Sequence, residues 1–107
     1  MISIICVYND ESIFNNWLMK SLKNQTVKFE LIKIDNTQRK FKSAAEALNY
    51  GGKKAKGNYL MFVHQDVDLT SNSCLGDVGK ILDSIPNLGI AGVVGIGEKE
   101  LMPCLDW

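Results

Sequence analysis

Apolar residues fall along this chain in short runs that alternate with stretches of helical spacing. Residues 2–8, ISIICVY, are β-rich and apolar toward both faces, the pattern of a central strand covered by helices on each side of a parallel sheet. Asn9, Asp10 and Glu11 then supply a cap and first-turn acids, and Ile13, Phe14, Trp17, Leu18 and Leu22 form a stripe that predicts a helix to about Lys23. A second strand is expected over residues 29–34, ending at Asp35 and Asn36, and a basic, polar connection over residues 37–42 reads as exposed and mobile. Ser43 with Glu46 is a capping box, and Ala44, Ala45, Ala47, Leu48 and Ala55 carry a helix to a stop at Gly57. Gly51 and Gly52 inside that helix cost roughly 1 kcal/mol each relative to Ala, so a close approach to the sheet or to a ligand is expected there. Residues 59–63 predict a third strand. Leu75, Val78, Leu82 and Ile85 mark a third helix, residues 88–94 predict a fourth strand, and no clear element follows through Trp107.

The order β-α-β-α-β-α-β predicts one domain over residues 1–107, an open three-layer α/β/α Rossmann-like fold with a mostly parallel sheet of about four strands. In such sheets ligands bind beyond the carboxyl ends of the strands where the strand order reverses. If the first strand lies between the second and third, that place gathers residues 7–10, Asp35 with Asn36, and residues 64–68. The alternative for these short polar residues is plain helix capping and turn formation.

At 107 residues and 46% hydrophobic content the chain can bury one modest core. Twelve basic against twelve acidic residues leave no net charge, which gives no pull toward nucleic acid or an anionic membrane. Any bound anion must be held by local groups. Cys6, Cys74 and Cys104 are an odd number without metal-ligand spacing and read as reduced thiols of a cytoplasmic protein. The apolar runs at residues 2–8 and 88–96 are too short for a signal-peptide core or a membrane span. The expected location is cytoplasmic, free or peripheral at the inner membrane face.

The most specific segment is FVHQDVD, residues 62–68. In an extended chain Asp66 and Asp68 point to one side and His64 joins them. A hard divalent cation bridging diphosphate oxygens takes one or two protein carboxylates, with phosphate and water completing its shell. The competing reading of His64 is a hydrogen-bonded strand-end residue with no ligand.

SIICVYND, LIKIDN, AEALNYGGKKAKGNYLMFVHQDVDL and GIAGVVG, in this order over about residues 2–95, resemble the nucleotide-binding half of bacterial family 2 glycosyltransferases of the GT-A fold, in a subgroup carrying His-Gln-Asp. The resemblance implies a nucleotide-diphospho-sugar-binding domain that takes a UDP-type donor with Mn or Mg, and a saccharide or lipid-linked acceptor in the complete enzyme. It implies that Val7, Tyr8 and Asn9 pack along the nucleotide base, that Asp35 with Asn36 reaches the base, and that His64 and Gln65 hold the nucleotide. It assigns the metal to Asp66, with Asp68 beside it. Two departures stand out: His64 replaces the first carboxylate of the usual motif, and the connection between Asn36 and Ser43 is shorter than in typical members. The acceptor-binding half and its acidic base would follow the metal motif, so the chain is expected to be catalytically incomplete; nothing in the spacing of Glu98, Glu100 and Asp106 identifies a base.

Arg39, Lys40 and Lys42 either add positive charge near the diphosphate or form a solvated loop. Two rival functions remain from the residues alone. One is a phosphoacceptor domain with Asp10, Glu11 and Asp66 as its acids; the other is a non-catalytic binding module that pairs with a second copy through an exposed sheet edge.

Overall fold

A computed structural model describes residues 1–87 and 89, and the backbone of residues 95–96, 99–100 and 105–106. Strands β1 (Ile2–Tyr8), β2 (Phe29–Asp35) and β3 (Tyr59–Phe62) form a parallel sheet in the order β2-β1-β3. The pairing of β1 with β2 runs from Ile2 opposite Phe29 to Tyr8 opposite Asp35, whereas the pairing with β3 stops at Ile5 opposite Phe62. β1 is therefore central, and its last three residues have a strand partner on one side only.

Helices cover both faces, which gives the expected open α/β fold. On one face Ile2, Ile4, Cys6 and Tyr8 pack with Phe14, Leu18, Leu22, Leu75 and Val78. These come from α1 (Glu11–Phe14), a π-helical turn (Asn15–Met19) and α2 (Lys20–Leu22), which run on as one helix, and from α4 (Cys74–Asp83). On the other face Ile5 and Ile34 meet Ala47 of α3 (Ala44–Lys54). Fully burying one such Ile, Leu or Phe contributes roughly 1.5–3 kcal/mol, so β1, buried on both faces, is the main anchor of the fold.

Three local readings need correction. Trp17 belongs to the predicted apolar stripe but is 50% exposed. The π turn widens the helix at Asn15–Met19, so Phe14, Leu18 and Leu22 keep the inward face while Trp17 rotates off it. Helix α3 ends at Lys54, three residues before Gly57, because Ala55 is already extended (ψ 138°). Gly57 serves a different purpose: its N–H reaches the buried Ser3 hydroxyl at the foot of the sheet. Of the two helical glycines, Gly51 does lie close on the sheet, since a Cβ there would sit 2.5 Å from Ile34 and 2.7 Å from Ile5. At Gly52 the nearest atoms would be 3.8 Å and 3.9 Å away, ordinary contact distance, so nothing in the described residues requires a glycine.

Apart from Gly89, the predicted strand over residues 88–94 lies outside the described residues. Beyond the main sheet, β4 (Asp68–Leu69) pairs antiparallel with β7 (Leu105–Asp106), and β5 (Gly95–Ile96) with β6 (Lys99–Glu100). Two-residue strands carry no readable periodicity, which is why the sequence shows no element there. Cys6 is free and buried, as expected, but Cys74 is disulfide-bonded, contrary to the reading of three reduced thiols; Cys104 lies outside the described residues. No described helix is long and apolar enough to cross a membrane.

Candidate functional site

The carboxyl ends of the three parallel strands bring the three predicted segments together, and hydrogen bonds tie them. The backbone N–H of Asn36, just past β2, donates to the Tyr8 carbonyl at 2.8 Å. The N–H of Val63, just past β3, donates to the Ile5 carbonyl at 3.1 Å. Further out, the Gln65 carbonyl oxygen accepts from the N–H groups of Asn9 (3.0 Å) and Asp10 (3.1 Å), and its amide nitrogen donates to Asn9 Oδ1 at 2.8 Å.

On the central strand, Val7 lies toward α3 and packs beside Ile5, half-buried. Tyr8 turns the other way into the core, where its ring stacks on Phe14 with centroids 4.6 Å apart. Burial, then the charges of Asp35 and Glu11, raise the Tyr8 phenol above its ordinary value. Asn9 is exposed at the rim. Asp10 caps α1 by accepting from the Ile13 N–H at 3.1 Å, the capping role that the sequence allows for it.

At the end of β2, the exposed Asp35 accepts on one carboxylate oxygen from both the Thr37 hydroxyl (2.7 Å) and the Thr37 N–H (2.8 Å). Those two bonds hold its carboxyl below the usual carboxylate range, while the other oxygen takes neither. Sequence reasoning missed Thr37 as this partner, although Asp followed two residues later by Thr is a recognisable local turn signal. The connection over residues 37–42 is exposed but organised. Asn36 Oδ1 accepts from the Phe41 N–H at 3.0 Å, the Asn36 carbonyl accepts from the Arg39 N–H, and Arg39 adopts a left-handed φ of 53°. Lys40 lies over the Phe41 ring at 5.9 Å, and Phe41 meets Tyr50 at 5.3 Å. Arg39, Lys40 and Lys42 are all exposed.

The segment after β3 departs from the extended geometry read from the sequence. His64 to Val67 is a turn, closed by the Val67 N–H donating to the His64 carbonyl at 3.3 Å. His64 and Asp66 are exposed on that turn, while Asp68 is half-buried on β4 beyond it, with Val67 and Leu69 buried on either side. Alternation along a strand therefore does not bring the three side chains to one side, because the chain bends between them. Among the described residues no three metal-ligating side chains converge. The carboxylates on this stretch that could serve as metal donors are the exposed Asp66 and the half-buried Asp68. Asp66 is close enough to the end of β1 for its charge to add to the effect of burial on Cys6, whose thiol is pushed up to about 12.

The sequence profile described as the glycosyltransferase-like family matches residues 3–103, nearly the whole chain. The chain belongs to this family. No curated protein and no solved structure gives a significant match. In a glycosyltransferase-like chain, the strand-end cluster of Asn9, Asp35, Asn36, His64 and Asp66 is the natural candidate site, and the phosphoacceptor reading of Asp10, Glu11 and Asp66 is set aside.

Proposed function

We propose that this chain is the donor-binding portion of a glycosyltransferase, holding a UDP-type nucleotide sugar across the carboxyl ends of β2, β1 and β3. One observation carries the reading in a chain of this family: β1 lies between β2 and β3, so Asp35 with Asn36, residues 7–9, and His64 with Asp66 share one rim. Asp35 offers an ionised acceptor for the base, steadied by Thr37. Asn9, Asn36 and His64 border the nucleoside, and the backbone of Val7 and Tyr8 forms the floor.

Asp66, with Asp68 as the second candidate, would hold a divalent metal between protein and diphosphate. When bound, such a metal offsets negative charge on the departing nucleoside diphosphate. The task of this chain's own residues is then positioning. The strand ends would fix where the base and diphosphate lie, and a saccharide or lipid-linked molecule would be the acceptor.

Calorimetric titration with UDP, with and without Mn, tests the proposal on the wild-type chain and on Asp66→Ala. The expected result is Mn-dependent binding that the substitution weakens at least tenfold, on the order of 1.4 kcal/mol. UDP binding unaffected by Mn and by Asp66→Ala would remove the metal from the account.

A further inference from the structure

Gln65 stands between two groups proposed to meet the donor, Asn9 and Asp66, and its own hydrogen bonds point elsewhere. The β1–β3 ladder ends at Ile5 opposite Phe62, whereas β1 continues to Tyr8. Past the Val63 N–H bond to the Ile5 carbonyl, no main-chain hydrogen bond among the described residues holds the loop after β1 against the turn at residues 64–67. Gln65 crosses the gap. Its Oε1 accepts from the N–H groups of Asn9 and Asp10 at 3.0 Å and 3.1 Å, which uses both lone pairs of that oxygen. Its Nε2 donates one of two hydrogens to Asn9 Oδ1 at 2.8 Å. The two converging N–H donors set which end of the carboxamide is oxygen, so this orientation follows from the network. Gln65 is half-buried, while His64 and Asp66 on either side of it are exposed.

We infer that Gln65 is a positioning residue rather than a nucleotide ligand: its carboxamide clamps the Asn9–Asp10 loop to the His64–Val67 turn and so sets the spacing between the nucleoside rim and Asp66. This inference rests on the nucleotide-binding reading above. Asn9 and Asp10 are exposed, so water can satisfy their N–H groups if the clamp is lost. Loss of the clamp therefore costs little stability and acts mainly through geometry.

The test compares Gln65→Met, which keeps length but has no comparable donor or acceptor, with Gln65→Glu. The glutamate retains acceptors for both N–H groups, and the Asn9 amide can rotate to donate to its second oxygen. In the free chain, amide hydrogen exchange at Asn9 and Asp10 should accelerate about tenfold in Gln65→Met and stay near wild type in Gln65→Glu. Titration with UDP and Mg should show Gln65→Met about tenfold weaker, a typical cost of losing a group that orients ligating residues, with the thermal midpoint almost unchanged. Unchanged exchange at Asn9 and Asp10 in Gln65→Met overturns the clamp. Accelerated exchange with UDP affinity equal to wild type overturns its positioning role. Failure of the wild-type chain to bind UDP is a failure of the nucleotide reading, and the exchange rates still decide whether the clamp exists.

Discussion

Gly57 donates its N–H to the Ser3 hydroxyl at 2.8 Å, and a Cβ on Gly57 would sit 2.5 Å from that same oxygen. Ser3 is fully buried on the central strand and donates its hydroxyl hydrogen bond to the Glu30 carboxylate on β2 at 2.7 Å, while Glu30 also accepts from the Lys56 backbone N–H. Next to it the Asn58 N–H donates to the Met1 carbonyl, and the Met1 amino group donates to Asn58 Oδ1. The loop between α3 and β3 is thereby stitched under the sheet, at the opposite end from the candidate site.

Gly57→Ala should destabilise the fold by about 2 kcal/mol or more, because the new methyl meets backbone, Met1 O at 2.6 Å and Ser3 N at 2.8 Å, rather than a movable side-chain end. Ser3→Ala should cost about 1–3 kcal/mol by leaving the Gly57 N–H without its acceptor. Urea denaturation of the two variants checks both values, with nucleotide affinity expected to hold wherever the chain is folded.

Gly51→Ala and Gly52→Ala should move stability in opposite directions. Both gain roughly 0.5–1 kcal/mol of helix propensity. At position 51 this gain is exceeded by a clash with Ile34 and Ile5, and overpacking of that kind costs typically 1–3 kcal/mol. At position 52 the methyl meets Phe62 and Leu60 at 3.8 Å and 3.9 Å, so the propensity gain survives. Thermal unfolding should show a lower midpoint for the first variant and a higher one for the second.

These glycines also show what the sequence could convey. Two glycines in a helical pattern announce a close approach, but only the packed sheet tells that one of them lies over Ile5 and Ile34 and the other does not. The strands were legible because β1 is apolar at nearly every position, and Ser43 caps α3 by accepting from the Glu46 N–H at 3.1 Å, as the capping box predicts. The outward turn of Trp17 was not legible, since a π turn leaves no compositional mark. In the candidate site the residues were identifiable by type and strand-end position, whereas their geometry was not. The turn at residues 64–67 defeats the two-residue alternation on which the reading of His64, Asp66 and Asp68 relied, and the engagement of Gln65 with Asn9 depends on a contact across 56 residues.

Cys6 gives a pH dependence of definite sign. Burial, with the charge of Asp66, raises its thiol from 9.0 to about 12, so the folded chain keeps the proton over a range in which the unfolded chain releases it. The contribution of this group is fully present below pH 9 and is lost as pH rises from about 9 toward 12, on the order of 1 kcal/mol per pH unit. The stability difference between wild type and Cys6→Ala, measured in urea at pH 8 and pH 10.5, should shift against wild type at the higher value. The folded wild type should resist alkylation of Cys6 at pH 8.

The central claim is the location of the donor site, and amide chemical-shift mapping of the labelled wild-type chain on titration with UDP and Mg tests it most directly. The account predicts shifts confined to residues 7–10, 35–37 and 64–68, with Mn then broadening the amides around Asp66 most strongly. Shifts clustered instead around Ser3, Gly57 and Asn58 at the other end of the sheet, or no shifts at saturating UDP, would contradict it.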